Sequence, residues 1–232
     1  MSEHVREMFS SIAPRYDLTN VVLSFGVDRL WRHTAVLASG AAPGARVLDC
    51  ATGTGDLALA LRRAVEPGGE VVAMDFCAAM LGPARQKAQR VGLGDIRFEV
   101  ADVLALPYPT ASFDIATIAF GIRNVDDPVR CLQEMSRVVR PGGRVVVLEF
   151  GQPKGLWGAL YRTYSRRLMP WLGGLLTGNR SAYAYLPRTA AAFPAGQRFL
   201  ALMDQAGTFS SRQASSLSGG IALVYVGEVR AI

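Results

Sequence analysis

The chain has 232 residues, half of them apolar, and a net charge of +6. That size suits one domain with its own core, and no segment reads as low complexity or as a fixed-period repeat. The longest uncharged apolar stretch, Leu168 to Leu176, contains Pro170 and falls far short of the about 20 residues that a membrane span needs.

In chain order, residues 1–40 read as a helical lid. Val5, Met8, Phe9 and Ile12 share one helical face, and Pro14 stops the pattern. A linker carrying Tyr16, Asp17 and Asn20 follows, then an amphipathic helix from Leu30 to Leu37. Residues 41–150 alternate strand and helix. Strands are expected at 45–50, 70–75, 96–100, 113–119 and 144–150, with helices at 56–65, 77–91 and 127–139. Gly68-Gly69, Gly92-Leu93-Gly94 and Pro141-Gly142-Gly143 read as turns between them. This rhythm predicts an α/β fold with a doubly wound, mostly parallel sheet, and ligands at the carboxyl ends of its strands.

Residues 151–193 form an insert of different character. From Glu149 to Asp204 no acid intervenes, while Lys154, Arg162, Arg166, Arg167, Arg180, Arg188 and Arg198 supply the whole net charge. Trp157, Leu160, Tyr161, Tyr164 and Leu168 share a helical face, with Arg162 and Arg166 opposite. The pattern predicts one amphipathic helix facing an anionic surface, of lipid or nucleic acid. Residues 194–232 are expected to hold a helix (197–205) and two antiparallel strands turned at Ser218-Gly219-Gly220, the last spanning 221–226.

Three dispersed cysteines, Cys50, Cys77 and Cys131, show neither zinc nor disulfide spacing and read as buried thiols. The start, Met1-Ser2-Glu3-His4, is polar with no apolar signal region behind it, so a cytoplasmic location is expected.

The octapeptide Asp49-Cys50-Ala51-Thr52-Gly53-Thr54-Gly55-Asp56 joins the first strand to its helix. A glycine turn there is a cofactor loop, and Asp75 ends the next strand 20 residues after Gly55, a suitable distance for ribose. Gly53-Thr54-Gly55-Asp56-Leu57-Ala58 also fits a loose dinucleotide pattern, so NAD competes. The charges favour S-adenosylmethionine (SAM). Asp49 and Asp56 repel a pyrophosphate and attract an ammonium and a sulfonium. Helix capping is the alternative role for both acids. Asp102, after the third strand, is placed to reach the adenine edge. The cofactor set expected is Asp49, Gly53, Thr54, Gly55, Asp75, Phe76, Asp102 and Val103, with no metal.

Over nearly its whole length the sequence resembles the bacterial quinone C-methyltransferases. The resemblance rests on Met8-Phe9-Ser10-Ser11-Ile12-Ala13-Pro14-Arg15-Tyr16-Asp17 with Asn20, Leu23-Ser24-Phe25-Gly26, Asp28 and Trp31. It continues through the octapeptide, Phe120-Gly121-Ile122-Arg123-Asn124-Val125 and Arg137-Val138-Val139-Arg140-Pro141-Gly142-Gly143, running to Leu148-Glu149-Phe150. Gly178-Asn179-Arg180 with Ala182-Tyr183-Ala184-Tyr185-Leu186-Pro187 also matches. The octapeptide is common to many methyltransferases; the first, third and downstream motifs are more specific. Asp28 stands where one version has His, Thr19 where it has Met, Gly151 where Ser is frequent, and Ala119 where some members are polar. These departures bear on substrate preference.

The resemblance implies a class I SAM-dependent methyltransferase with a seven-stranded, mostly parallel sheet and an antiparallel C-terminal strand. It implies C-methylation of a prenylated quinol, demethylmenaquinol foremost, with S-adenosylhomocysteine as product. By resemblance, Arg123 and Asn124 are the catalytic element. A guanidinium beside a phenol, whose reference pKa is about 10, favours the phenolate; the alternative for Arg123 is a loop ion pair with Asp126 or Asp127. His33 is expected as a packed or surface residue. Tyr16 is either part of the lid or a core aromatic. The partners expected are the quinol, transient contact with an anionic membrane surface and, as one option, a second copy of the chain, with no nucleic acid. Rival readings are an RNA methyltransferase, an NAD-dependent oxidoreductase and a non-catalytic lipid-surface protein.

Overall fold

The computed structural model describes residues 3–177 and 180–231, without the side chains of residues 3, 4, 14, 176, 177, 180–182 and 184. Three helices come first: α1 (Glu3–Ile12), α2 (Tyr16–Ser24) and α3 (Val27–Ser39). The alternating body follows as β1 (Arg46–Cys50), α4 (Asp56–Ala64), β2 (Glu70–Asp75), α5 (Ala78–Arg90), β3 (Arg97–Val100), β4 (Phe113–Ala119), α6 (Pro128–Val138) and β5 (Val139–Phe150). The insert carries α7 (Gly155–Thr163), α8 (Met169–Thr177) and α9 (Arg180–Ala192). The chain closes with α10 (Gln197–Ala206), β6 (Phe209–Leu217) and β7 (Ala222–Val229).

The seven strands form one sheet in the order β3-β2-β1-β4-β5-β7-β6. β1 to β5 run parallel, and β7 pairs antiparallel with both β5 and β6. The chain reverses its winding direction between β1 and β4, the place where such sheets open a crevice. The central strands carry apolar residues on both faces because helices cover both. Leu48, Ala116, Ile118, Val145 and Val147 are fully buried on one side with α6 and α10, and Val47 and Ala73 pack on the other with α4.

Three local expectations are corrected. Residues 16–20 are not a linker but the first turns of α2. Pro14 does end α1, yet it sits at the start of a tight 3-10 turn (Ala13–Arg15), a position that needs no N–H from it, and the chain re-enters a helix at once. The Pro141-Gly142-Gly143 turn lies within β5, as an outward loop. Val139 pairs with Phe113 and Arg144 with Ile115, so residues 140–143 swing out opposite Asp114 alone. The helix expected to run unbroken from Trp157 to Leu168 widens after Thr163 into a π-turn, Tyr164–Leu168. The Met169 N–H reaches back to Tyr164 O, and Pro170, which has no N–H to give Arg166, follows immediately. Of the downstream motif, Gly178 and Asn179 lie outside the described residues.

One close approach fixes the crevice. A Cβ built on Gly121, just after β4, would lie 2.6 Å from Ala51 Cβ and 3.2 Å from Ile118 Cγ1. Only a glycine lets the end of β4 lie against the cofactor loop. Gly121→Ala is expected to lower stability by about 1–3 kcal/mol, the usual cost of overpacking, as read by urea denaturation. An unchanged midpoint would show that the loop can retreat freely.

Candidate functional site

The cofactor loop springs from the carboxyl end of β1. The Thr52 N–H bonds Met74 O at 3.0 Å and the Gly55 N–H bonds Thr52 O at 2.9 Å, folding the loop back on itself. Gly55 opens α4 at φ +84°, and a Cβ there would crowd Ala84 and Phe98 at 3.3 and 3.4 Å. This turn therefore requires glycine on both conformational and steric grounds. Asp75, at the end of β2, clasps the loop from the side: its carboxylate accepts from the Gly53 N–H and the Cys77 N–H, each at 2.8 Å. Asp102 follows β3 and accepts from the Leu104 N–H at 2.9 Å. Phe76 is half-buried with the Arg6 guanidinium over its ring, while Val103 packs into the main core.

Asp49 is buried, and its two oxygens accept from the hydroxyls of Thr52 and Thr117 at 2.6 and 2.7 Å. Neither Asp49 nor Asp75 has an ion-pair partner among the described residues. Burial pushes the Asp49 carboxyl up to about 6 and raises that of Asp75 as well. These are two desolvated anions at adjoining strand ends, a setting that favours a cationic ligand over a phosphate.

Asp56 does not share that role. Lys87 Nζ lies 2.5 Å from both Asp56 Oδ1 and Asp17 Oδ2 and bridges the two carboxylates. Thr54, also expected to face the cofactor, turns its hydroxyl to Asp17 instead. Asp17, Thr54, Lys87 and Asp56 together tie α2 to the cofactor loop, a cluster that no spacing in the sequence announces.

Beyond the end of β4 lies a cavity of about 630 Å³, within the range of small-ligand sites. Its walls come from α2, α3, the ends of β4 and β5, and the insert. Phe120 and Phe150 stack with centroids 4.6 Å apart, and Trp31 meets Phe150 edge-on at 6.4 Å. Arg123 lines this cavity with its guanidinium 5.1 Å from the Phe150 ring centre. It pairs neither with Asp127, which caps α6, nor as part of an exposed loop. Its Nη1 donates to Glu149 Oε1 at 2.8 Å and to Phe120 O at 2.5 Å, both charged side chains are 2% exposed, and its buried Nε has no hydrogen-bond partner among the described residues.

Glu149 is the residue that sequence reasoning missed. The available signal was an acid in an otherwise apolar central strand. Asn124 is also buried, but its recorded bond is from the Tyr185 hydroxyl at 3.2 Å, toward α9. Tyr16 lines the cavity and packs edge-on to Phe9 at 6.3 Å, as a packed aromatic in the cavity wall. His33 is exposed on α3. The three cysteines are buried and unbridged, and no cluster fit for a metal occurs among the described residues.

The model of the ubiE/COQ5 methyltransferase family matches residues 1–228. The chain belongs to that family. It is 54% identical to a demethylmenaquinone methyltransferase of Thermus thermophilus over 223 residues, covering 95% of this chain and 99% of that protein. It is 52% identical to a ubiquinone/menaquinone biosynthesis C-methyltransferase of Bdellovibrio bacteriovorus, covering 98% and 97%. Among solved structures, a SAM-dependent methyltransferase of Thermotoga maritima superposes with a TM-score of 0.66 at 21% identity, covering 96% of this chain and 98% of that one. One from Aquifex aeolicus gives 0.64 at 18%, covering 85% and 89%. Those two carry the fold alone. Membership makes the chain a SAM-dependent methyltransferase, and the dinucleotide oxidoreductase reading falls. The donor set fits SAM: two desolvated carboxylates with no protein cation between them suit a ligand bearing an ammonium and a sulfonium.

Asp49 leaves a measurable trace in the ligand-free protein. Its folded pKa, about 6, stands above the unfolded value of 3.8. The destabilisation is therefore absent below pH 3.8 and complete above about pH 6. Asp49→Asn is expected to gain stability over the wild type as pH rises from 4 to 7, by up to about 3 kcal/mol for a shift of this size. Denaturation curves at both pH values check this, and a pH-independent difference would clear Asp49 of the charge.

Proposed function

We propose that this protein methylates a ring carbon of a prenylated quinol, demethylmenaquinol foremost, with Arg123 as the group that makes the ring nucleophilic. The observation that carries the reading is a buried guanidinium, its Nε without a hydrogen-bond partner among the described residues, at an aromatic cavity beside the cofactor loop. The names of the two relatives support the substrate. Asp49, Gly53, Gly55, Asp75, Phe76, Asp102 and Val103 hold SAM, with Asp75 on the ribose and Asp49 opposite the cationic end; Thr54 steadies the loop through Asp17. When bound, SAM supplies an electrophilic methyl group.

The chain's own part is to prepare the acceptor. A phenol with a pKa of about 10 is scarcely ionised at pH 7. Arg123 lowers that value by placing positive charge and an N–H donor where the oxygen sheds its proton. Phe120, Phe150 and Trp31 hold the ring flat and exclude water, which strengthens the interaction. As the new carbon–carbon bond forms, the methyl–sulfur bond breaks and S-adenosylhomocysteine leaves; the ring carbon then gives up its proton, the phenolate oxygen regains one, and one proton passes to solvent overall. Asn124, held by Tyr185, fixes the turn that presents Arg123.

The insert makes the tail's entrance. Leu156, Trp157, Leu160, Trp171 and Leu175 are exposed, as is Phe25 at the end of α2, and Phe25, Trp157 and Leu160 also line the cavity mouth. Arg162 and Arg166 do not form a separate polar face: both line the cavity. An apolar rim bearing arginines and tryptophans suits the headgroup region of an anionic bilayer, through which a prenyl tail reaches the cavity. No described helix is long and apolar enough to cross a membrane.

Labelled SAM and a reduced demethylmenaquinone extract should yield labelled menaquinol, identified by mass. Arg123→Lys is expected to fold, bind SAM as the wild type does and lose about a hundredfold or more in kcat, because a point charge replaces the fork. Arg123→Ala also strands Glu149 and should destabilise the fold by about 3–5 kcal/mol. Full activity in Arg123→Lys would move the chemistry elsewhere. Trp171→Glu with Leu175→Glu is expected to abolish co-sedimentation with anionic vesicles while leaving turnover of a short-tailed quinol unchanged. Retained vesicle binding would place the membrane contact on another surface.

A further inference from the structure

The cavity has a second, largely buried cation that the chemistry above leaves unused. Arg32 on α3 lines it, with its side chain 12% exposed. Its guanidinium carbon lies 5.6 Å from the centre of the Phe120 ring, as that of Arg123 lies 5.1 Å from Phe150. Phe120 and Phe150 are the stacked pair, so one cation attends each ring. Both recorded bonds of Arg32 use Nη1, which donates to the Asp28 carboxylate and, at 3.3 Å, to Asp28 O. Nη2 and Nε make no hydrogen bond among the described residues. Asp28 is buried and also accepts from the Ser24 hydroxyl at 2.6 Å, which holds the fork in place from behind.

A quinol carries two oxygens, para to one another, and Arg123 serves one of them. We propose that Arg32 binds the other, the oxygen remote from the accepting carbon, and that Asp28 positions Arg32 for it. The assignment rests on the quinol reading above. It explains why a largely apolar cavity wall holds a second guanidinium whose only hydrogen-bond partner among the described residues, Asp28, is on its own helix. It also makes the site selective for a para-diol over a simple phenol, since a ring lacking the second oxygen leaves the free edge of Arg32 desolvated and unmatched.

The test compares two acceptors: a prenylated naphthalene para-diol, and the same ring keeping only the hydroxyl beside the accepting carbon. The wild type should prefer the diol by about tenfold or more in kcat/KM, the usual worth of a hydrogen bond from a charged donor. Arg32→Gln should lose a similar factor on the diol, chiefly in KM, and lose nothing further on the mono-ol, with SAM affinity unchanged. Arg32→Lys should recover part of the preference. Equal losses on both acceptors would reduce Arg32 to a structural residue, and no loss on either would remove it from the site. Should Arg32→Gln not fold, a wild-type preference near one overturns the proposal unaided. Turnover of neither ring by the wild type would sink the quinol reading itself, and this assignment with it.

Discussion

The ion pair between Arg123 and Glu149 joins the turn after β4 to the last residues of β5, and the site is organised around it. Both side chains are 2% exposed, so the pair forms only because neighbouring groups complete it. Glu149 Oε1 also accepts from the Phe150 N–H at 2.8 Å, and Phe120 O takes the second bond from Arg123 Nη1. Burying two charges costs several kcal/mol apiece before their attraction is counted, so such a pair contributes little to stability in itself. What it contributes is position. The fork of Arg123 is clamped on its Nη1 side, and its Nε edge is left without a hydrogen-bond partner among the described residues. Glu149 sits behind the guanidinium rather than in the cavity, so it steadies the cation without competing for the cavity side.

A second constraint couples the two halves of the site. Helix α2 carries Asp17, which meets Thr54 of the cofactor loop and Lys87 of α5, and also Tyr16 and Asn20, which line the cavity. The Lys87 pairs are partly exposed, at 24% for the lysine and 35–39% for the acids, so each is worth no more than about 1 kcal/mol. Their effect is geometric: the cofactor loop and the cavity wall cannot shift independently while α2 is tied to both.

Much of this was legible in the sequence. The strand ends were readable because apolar runs stop at Asp49, Asp75 and Asp102, and a doubly wound sheet gathers its carboxyl ends at one edge. β2 and β4 fall at the expected residues, each a short and almost wholly buried apolar run of the kind a central parallel strand needs. Two kinds of feature were not legible. Asp56 looked like a cofactor-facing acid because the cation that pairs with it, Lys87, lies 31 residues away and meets it only once α5 packs on α4. The break at Tyr164 was hidden because apolar spacing does not distinguish an α-turn from a π-turn; Pro170 was the clue. Asp28 is instructive in another way: it stood out as a departure from the family's first motif, and the fold pairs it with Arg32.

The distribution of charge then gives the site a direction. Buried acids, Asp49 and Asp75, stand at the cofactor loop, and two cations, Arg123 and the largely buried Arg32, line the cavity. The two sets favour opposite charges in the two ligands, a cationic donor and an anionic acceptor. Attraction of this kind aligns the ligands, but it also stabilises charges that methyl transfer removes, and stabilising the reactants alone would slow the step. The arrangement offsets this in two ways. Each acid is tempered by donors: Asp49 by two hydroxyls, Asp75 by two backbone N–H groups. Arg123 is tempered by Glu149, so in the proposed reaction it would favour a phenolate without holding it as tightly as a bare cation. On the proposed reading, this charge ionises and orients the ring, and the opposed charges of donor and acceptor fall away together as the methyl group moves.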